Sequence, residues 1–156
     1  MAVQQQNTAA FVESFATLKR SEPTWLADRR RLAIERFSLL GVPTTHDEEY
    51  KYTSLKSISG QTWAPSAAGS VETPDVDYAG EEAARIVFVD GKFFSAVGDA
   101  SLGARLTSHL ADVEGHLTRY ADFESHALTA LNTAFFTDGA LVEIPEKAIV
   151  EKPIHI

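Results

Sequence analysis

The sequence predicts an α+β chain: helical at its start, with a β-hairpin in its middle and the first coil of a β-solenoid at its end. Three observations carry this. Apolar residues recur at three-and-four spacing through the first forty positions. An Asp-Gly dipeptide sits between two apolar runs at 90–91. From residue 140, short β-branched segments alternate with proline-containing corners. The expected division is a helical segment over 1–60 and a loop or linker over 61–84. A hairpin and helices completing the first domain follow over 85–138, and the solenoid starts over 139–156.

Thr8 to Lys19 places Phe11, Val12, Phe15 and Leu18 on one stripe, which predicts a short amphipathic helix. Ser21-Glu22-Pro23 ends it, and Pro23 suits the first turn of the next helix, where its missing N–H costs nothing. That helix is expected from Pro23 to Leu40. Leu26, Ala33, Phe37 and Leu40 line one face, and Trp25, Leu32 and Leu39 widen it. Trp25, Leu32, Ala33, Phe37 and Leu40 should face inward, against Phe11, Phe15 and a turn at Tyr50-Lys51-Tyr52. Gly41 supplies a left-handed C′ position, and Pro43 keeps the helix from resuming.

Thr45-His46-Asp47-Glu48 fits a capping box opening one or two turns through Tyr52. Leu55 to Ile58 adds another turn. Gln61 to Gly80 is rich in Ser, Ala, Gly, Thr and Pro and reads as a long surface loop. Arg85 to Val97 is the β signal, with Ile86-Val87-Phe88-Val89 and Phe93-Phe94 flanking the Asp90-Gly91 turn. Leu102 to Leu106 is a further strand, Thr107-Ser108 caps a helical turn through Val113, and Gly115 breaks it. A last helix over Ser125 to Phe135 carries Leu128, Leu131 and Phe135 on one stripe.

Ala140 to Pro145 and Ile149 to Ile156 are the solenoid segments. A single coil cannot bury its own face, because solenoid repeats are stabilised by stacking on neighbours. The expectation is therefore an unfinished edge, in a protein that continues past Ile156. Such an edge pairs with a second copy, packs back on the helical part, or stays disordered. A central strand with both edges satisfied would contradict it.

The net charge of −8 over 156 residues argues against a nucleic-acid surface, which needs clustered cations to displace counterions from phosphate. Arg29-Arg30-Arg31, the dense basic cluster, lies inside a helical pattern. Its stems should pack along the helix, with heads in water or paired with Glu. The absence of cysteine removes disulfides, thiolate ligands, thiolate nucleophiles and persulfide relays together. Met1 to Ala10 is polar and Gln-rich, unlike a signal peptide, and no apolar run approaches the ~20 residues of a membrane span. A soluble, cytoplasmic chain is expected.

Chemistry is sparse. Neither a phosphate-cradling glycine loop nor a nucleophile elbow is present. His109, Asp112 and His116 form the best metal constellation, sharing a helical face only if the helix continues through Gly115, with solvated residues on a surface helix the ordinary alternative. Asp47-Glu48-Glu49 could pair carboxylates for acid–base work, although acids in a first helical turn also complement the helix dipole. Asn132-Thr133 with Asp138-Gly139 has the composition of a polar active-site edge and equally that of a helix end and a turn. No catalytic, cofactor-binding or metal residue is nominated.

Several stretches taken together resemble a known family. They are Trp25-Leu26 with Arg30, Ala33 and Phe37; Gly41-Val42-Pro43-Thr44; and Asp47-Glu48-Glu49-Tyr50-Lys51-Tyr52-Thr53-Ser54-Leu55. Arg85 to Phe93, Leu131 to Gly139 and Val150 to Ile154 complete the set. In order, they resemble the N-terminal region of the SufB/SufD family, and within it SufD, a scaffold subunit of iron–sulfur cluster assembly. Tyr50 stands where that family more usually has Trp. The resemblance implies a helical N-terminal domain leading into a right-handed parallel β-helix, truncated here. It also implies SufB and SufC as partners of the full-length protein, with SufC the ATPase. It implies no covalent reaction, no cofactor, and a SufC-docking region outside this chain. Two alternatives are a free-standing interaction module using the 61–80 loop and a solenoid acyltransferase-type enzyme. The enzyme would need hexapeptide repeats and a trimer.

Overall fold

The computed structural model describes residues 8–59, 61, 63–64, 66, 84–98 and 104–156. In chain order these form α1 (Ala9–Thr17), α2 (Thr24–Leu40), a 3₁₀ turn (Glu48–Tyr50), α3 (Lys56–Ser59), β1 (Ala84–Val89) and β2 (Lys92–Gly98). Then come β3 (Ala104–Arg105), a second 3₁₀ turn (Leu106–His109), α4 (Leu110–Val113), α5 (Ala127–Phe135), β4 (Ala140–Leu141) and β5 (Ile154–His155). The architecture is mixed helix and small sheet, the α+β class expected. Two compact units emerge, one of Met1–Pro65 with Glu114–Phe135, the other of Ser66–Val113 with Phe136–Ile156.

The first unit is helical. Both predicted helices form, and Gly41 takes φ 78° while its N–H closes on the Phe37 carbonyl at 2.9 Å. The face α2 buries is Leu26, Arg30, Ala33, Ile34 and Phe37. Leu39 is 69% exposed, Leu32 is also exposed, and Trp25 is only half-buried. At 3.6 residues per turn these three lie roughly 120–160° around the helix from the buried face. They do not widen it as expected. The position that joins the apolar stripe is occupied by a charge, Arg30.

α5 packs along α2. It buries Ala127, Ala130, Thr133 and Ala134, whereas Leu128, Leu131 and Phe135 are only half-buried. Helix separation depends on the side chains at the contact, so the alanines take the line of closest approach and the large residues fill the flanks. Ala33, Ala130 and Ala134 are fully buried on these two helices. Phe37 meets Phe11 edge to face at 5.4 Å between ring centroids, and Phe135 meets Phe15 at 5.8 Å. Leu55 and Ile58 pack against the same core from α3 and the residue before it.

The turn after Gly41 differs from the sequence reading. The capping box at Thr45 does not form. The reach-back half of the motif appears one residue earlier, where the Thr44 N–H donates to Asp47 Oδ2 at 2.7 Å and the Asp47 N–H returns to the Thr44 carbonyl at 3.0 Å. Tyr50 is half-buried, but Tyr52 is 92% exposed and packs no core.

The second unit is built on the hairpin. β1 and β2 pair antiparallel across Asp90-Gly91, whose φ values of 51° and 74° make the doubly left-handed two-residue turn that suits strand twist. Ala84 to Val87 pair with Gly98 to Ser95, and then Phe88 pairs with Phe93, so Phe94 is an extra residue on β2. It is a bulge, and its ring is exposed. Ala84 and Ile86 are buried at alternate positions, as period-two geometry requires.

β5 adds to β1 in parallel, giving the strand order β2-β1-β5. Among the described strands Ile154–His155 thus stands at the edge of the sheet, not at its centre. β4 pairs antiparallel with β3, through Ala104↔Leu141 and Arg105↔Ala140. The 3₁₀ turn following β3 starts after Arg105 and not at a Thr107-Ser108 cap. Within the 61–80 loop, residues 62, 65 and 67–80 lie outside the described residues, as do Leu102 and Gly103 of the strand expected there.

Candidate functional site

The charged residues that the fold draws inward are the natural place to look for chemistry, because burying a charge is costly unless it is paired. In the helical unit, Arg30 Nε meets Glu22 Oε2 at 2.9 Å, and Arg30 Nη1 donates to the Ala134 carbonyl at 3.1 Å. Arg20 Nη1 donates to the same carbonyl at 2.8 Å, and the Arg20 Cζ lies 5.6 Å from the Phe15 ring centroid. Ala134 stands in the last turn of α5, where carbonyls have no helical N–H to accept and the helix dipole is negative. Two guanidiniums from the α1–α2 junction and α2 therefore satisfy the end of α5.

Burial pushes the Arg30 guanidinium down to about 10, with neighbouring Arg20 acting in the same direction and Glu22 opposing both. Burial also lowers Arg20, against the attraction of Glu22. Arg30 remains protonated at neutral pH, and a guanidinium offers donors but no acceptor. The cluster can lock helices together or hold an anion; its donors are turned onto a carboxylate and a carbonyl of the chain itself.

In the second unit the focus is Asp138, whose side chain is 1% accessible. It pairs with Arg105 and accepts the Gly139 N–H at 2.9 Å. The Arg105 guanidinium lies 5.6 Å from the Phe93 ring centroid. Next door, the Thr137 hydroxyl donates to the Gly91 carbonyl at 2.6 Å, and the Leu106 N–H to the Gly139 carbonyl at 2.8 Å. The run from Thr137 to Leu141 is thus fastened to the hairpin turn and to β3. Replacing Asp138 with alanine is expected to cost about 0.5–1.5 kcal/mol, the net worth of a hydrogen bond, because water can reach the half-exposed Arg105 left behind. Amide exchange should quicken at Arg105, Leu106, Ala140 and Leu141 while α5 keeps its protection. Unchanged protection at those four amides would show that Asp138 fastens nothing.

The residues singled out in the sequence do not assemble into a site. His109 Nδ1 sits 3.2 Å from Asp112 Oδ2, one helical turn on, and His116 is exposed. Among the described residues no three His, Asp or Glu side chains gather as metal ligands. Asp47 is engaged with Thr44, Glu48 is exposed, and Glu49 makes an exposed 3.6 Å contact with His126. Asn132 is exposed while its neighbour Thr133 is buried, so they form no common edge.

The basic cluster splits three ways. Arg29 donates to the Leu117 carbonyl at 3.0 Å and to the Thr118 hydroxyl, Arg30 is buried, and exposed Arg31 pairs with Glu35 at 2.9 Å. Arg30 and Arg31 pair with Glu, as expected, whereas Arg29 turns onto a carbonyl and a hydroxyl. Nearby, Asp122 is held below the usual carboxylate range by the Ser125 hydroxyl and the Glu124 N–H. Its contribution is present at neutral pH and lost as the pH falls through that lowered pKa.

Sequence reasoning allowed Arg30 a Glu partner but not its burial, and it missed the Arg105–Asp138 pair. The available signal for that burial was Arg30 itself, a charge standing on the stripe defined by Leu26, Ala33 and Phe37.

Comparison with known proteins places this geometry in context. A family model described as the SufBD protein N-terminal region matches residues 1–69 and 92–156. Residues 70–91, which include β1 and the Asp90-Gly91 turn, lie outside that match. A curated iron–sulfur cluster assembly SufBD family protein of Synechocystis sp. (strain ATCC 27184 / PCC 6803 / Kazusa) is 27% identical over 162 residues. The alignment takes in 90% of this chain and 34% of the relative. The chain thus spans about a third of the length of that curated relative. No solved structure matches the chain.

Proposed function

The chain belongs to the SufB/SufD family, and from that membership we propose that it forms the N-terminal part of a SufD-type scaffold subunit in iron–sulfur cluster assembly. The observation that carries this is the extent of the family match, which runs through the helical core and again from β2 to Ile156. The full-length protein works with SufB and with the ATPase SufC, and this part of it performs no covalent step. The inward cations support that reading, since Arg20 and Arg30 are turned onto Glu22 and the Ala134 carbonyl.

The body that follows is a right-handed parallel β-helix. Family membership is what supports this; among the described strands β5 pairs parallel with β1, whereas β4 pairs antiparallel with β3. Ile144 and Ile156 are exposed, and Ile149 is 86% exposed. The setting is cytoplasmic; among the described residues no helix is long and apolar enough to cross a membrane.

A reconstitution experiment tests the absence of chemistry. Purified chain incubated anaerobically with iron and sulfide should show no stoichiometric cluster in its visible absorption, because it offers no thiolate, the usual cluster ligand. It should also leave ATP intact, having no phosphate loop. A stoichiometric cluster, or ATP turnover that co-purifies with the chain, would sink the proposal.

A further inference from the structure

No further inference is drawn: the strongest candidate, the exposed apolar surface of β2 at Phe94 and Val97 on the margin of the three-stranded sheet, carries nothing because nothing in the structure shows what covers it.

Discussion

Replacing Glu22 with glutamine is expected to destabilise the helical unit by about 3–5 kcal/mol, the range for breaking a buried ion pair from one side. The substitution takes the carboxylate from beside Arg30, which is almost wholly buried and already feels the like charge of Arg20. Urea denaturation followed by helical circular dichroism measures the loss as a lowered midpoint. The effect should persist at high salt, since buried pairs are screened far less than exposed ones. A double variant, Glu22→Leu with Arg30→Met, should recover much of the loss, because apolar replacements of similar volume remove both desolvated charges at once. A midpoint shift worth under about 0.5 kcal/mol for Glu22→Gln would place the pair among surface salt bridges, which contribute little.

An equally large effect is expected from Phe37→Ala. Phe37 is 0% exposed, and its ring stands edge to face with Phe11. Truncating a buried aromatic costs about 3–5 kcal/mol, through lost transfer free energy and the cavity left behind. Relaxation into that cavity is limited here. The surrounding alanines on α2 and α5 have no rotamer freedom with which to fill it. An unchanged denaturation midpoint would contradict the packing described.

What was legible in the sequence follows from how local each signal is. α1 and α2 announce themselves through 3.6-residue periodicity, and the Gly41/Pro43 stop fixes where α2 ends. The hairpin is equally plain, since Asp-Gly tolerates the two positive φ values that the turn needs. The inward side of α2 was only half legible. Counting apolar residues favours Leu32 and Leu39, whereas the helix turns Arg30 inward to meet Glu22 and α5. Likewise α5 hides its alanines, because the closeness of α2, a tertiary fact, decides which face is covered.

β5 was illegible as a partner of β1. A two-residue strand has no periodicity, and its pairing joins positions 84 and 154. Asp138 misled for a different reason. Asp-Gly after a helix has ordinary turn composition, and nothing local shows that its carboxylate is buried on Arg105. The resemblance across dispersed motifs carried information that no single segment held, and the family match later spanned most of the same positions.

The most direct test of a SufD-type scaffold role is the native mass of the full-length protein co-expressed with SufB and SufC under anaerobic conditions. The expected result is one species containing all three proteins. Chain 1–156 expressed alone in its place should not retain SufC, since the docking region for SufC is expected outside it. Recovery of a SufB–SufC species that excludes the full-length protein would contradict a scaffold role in cluster assembly.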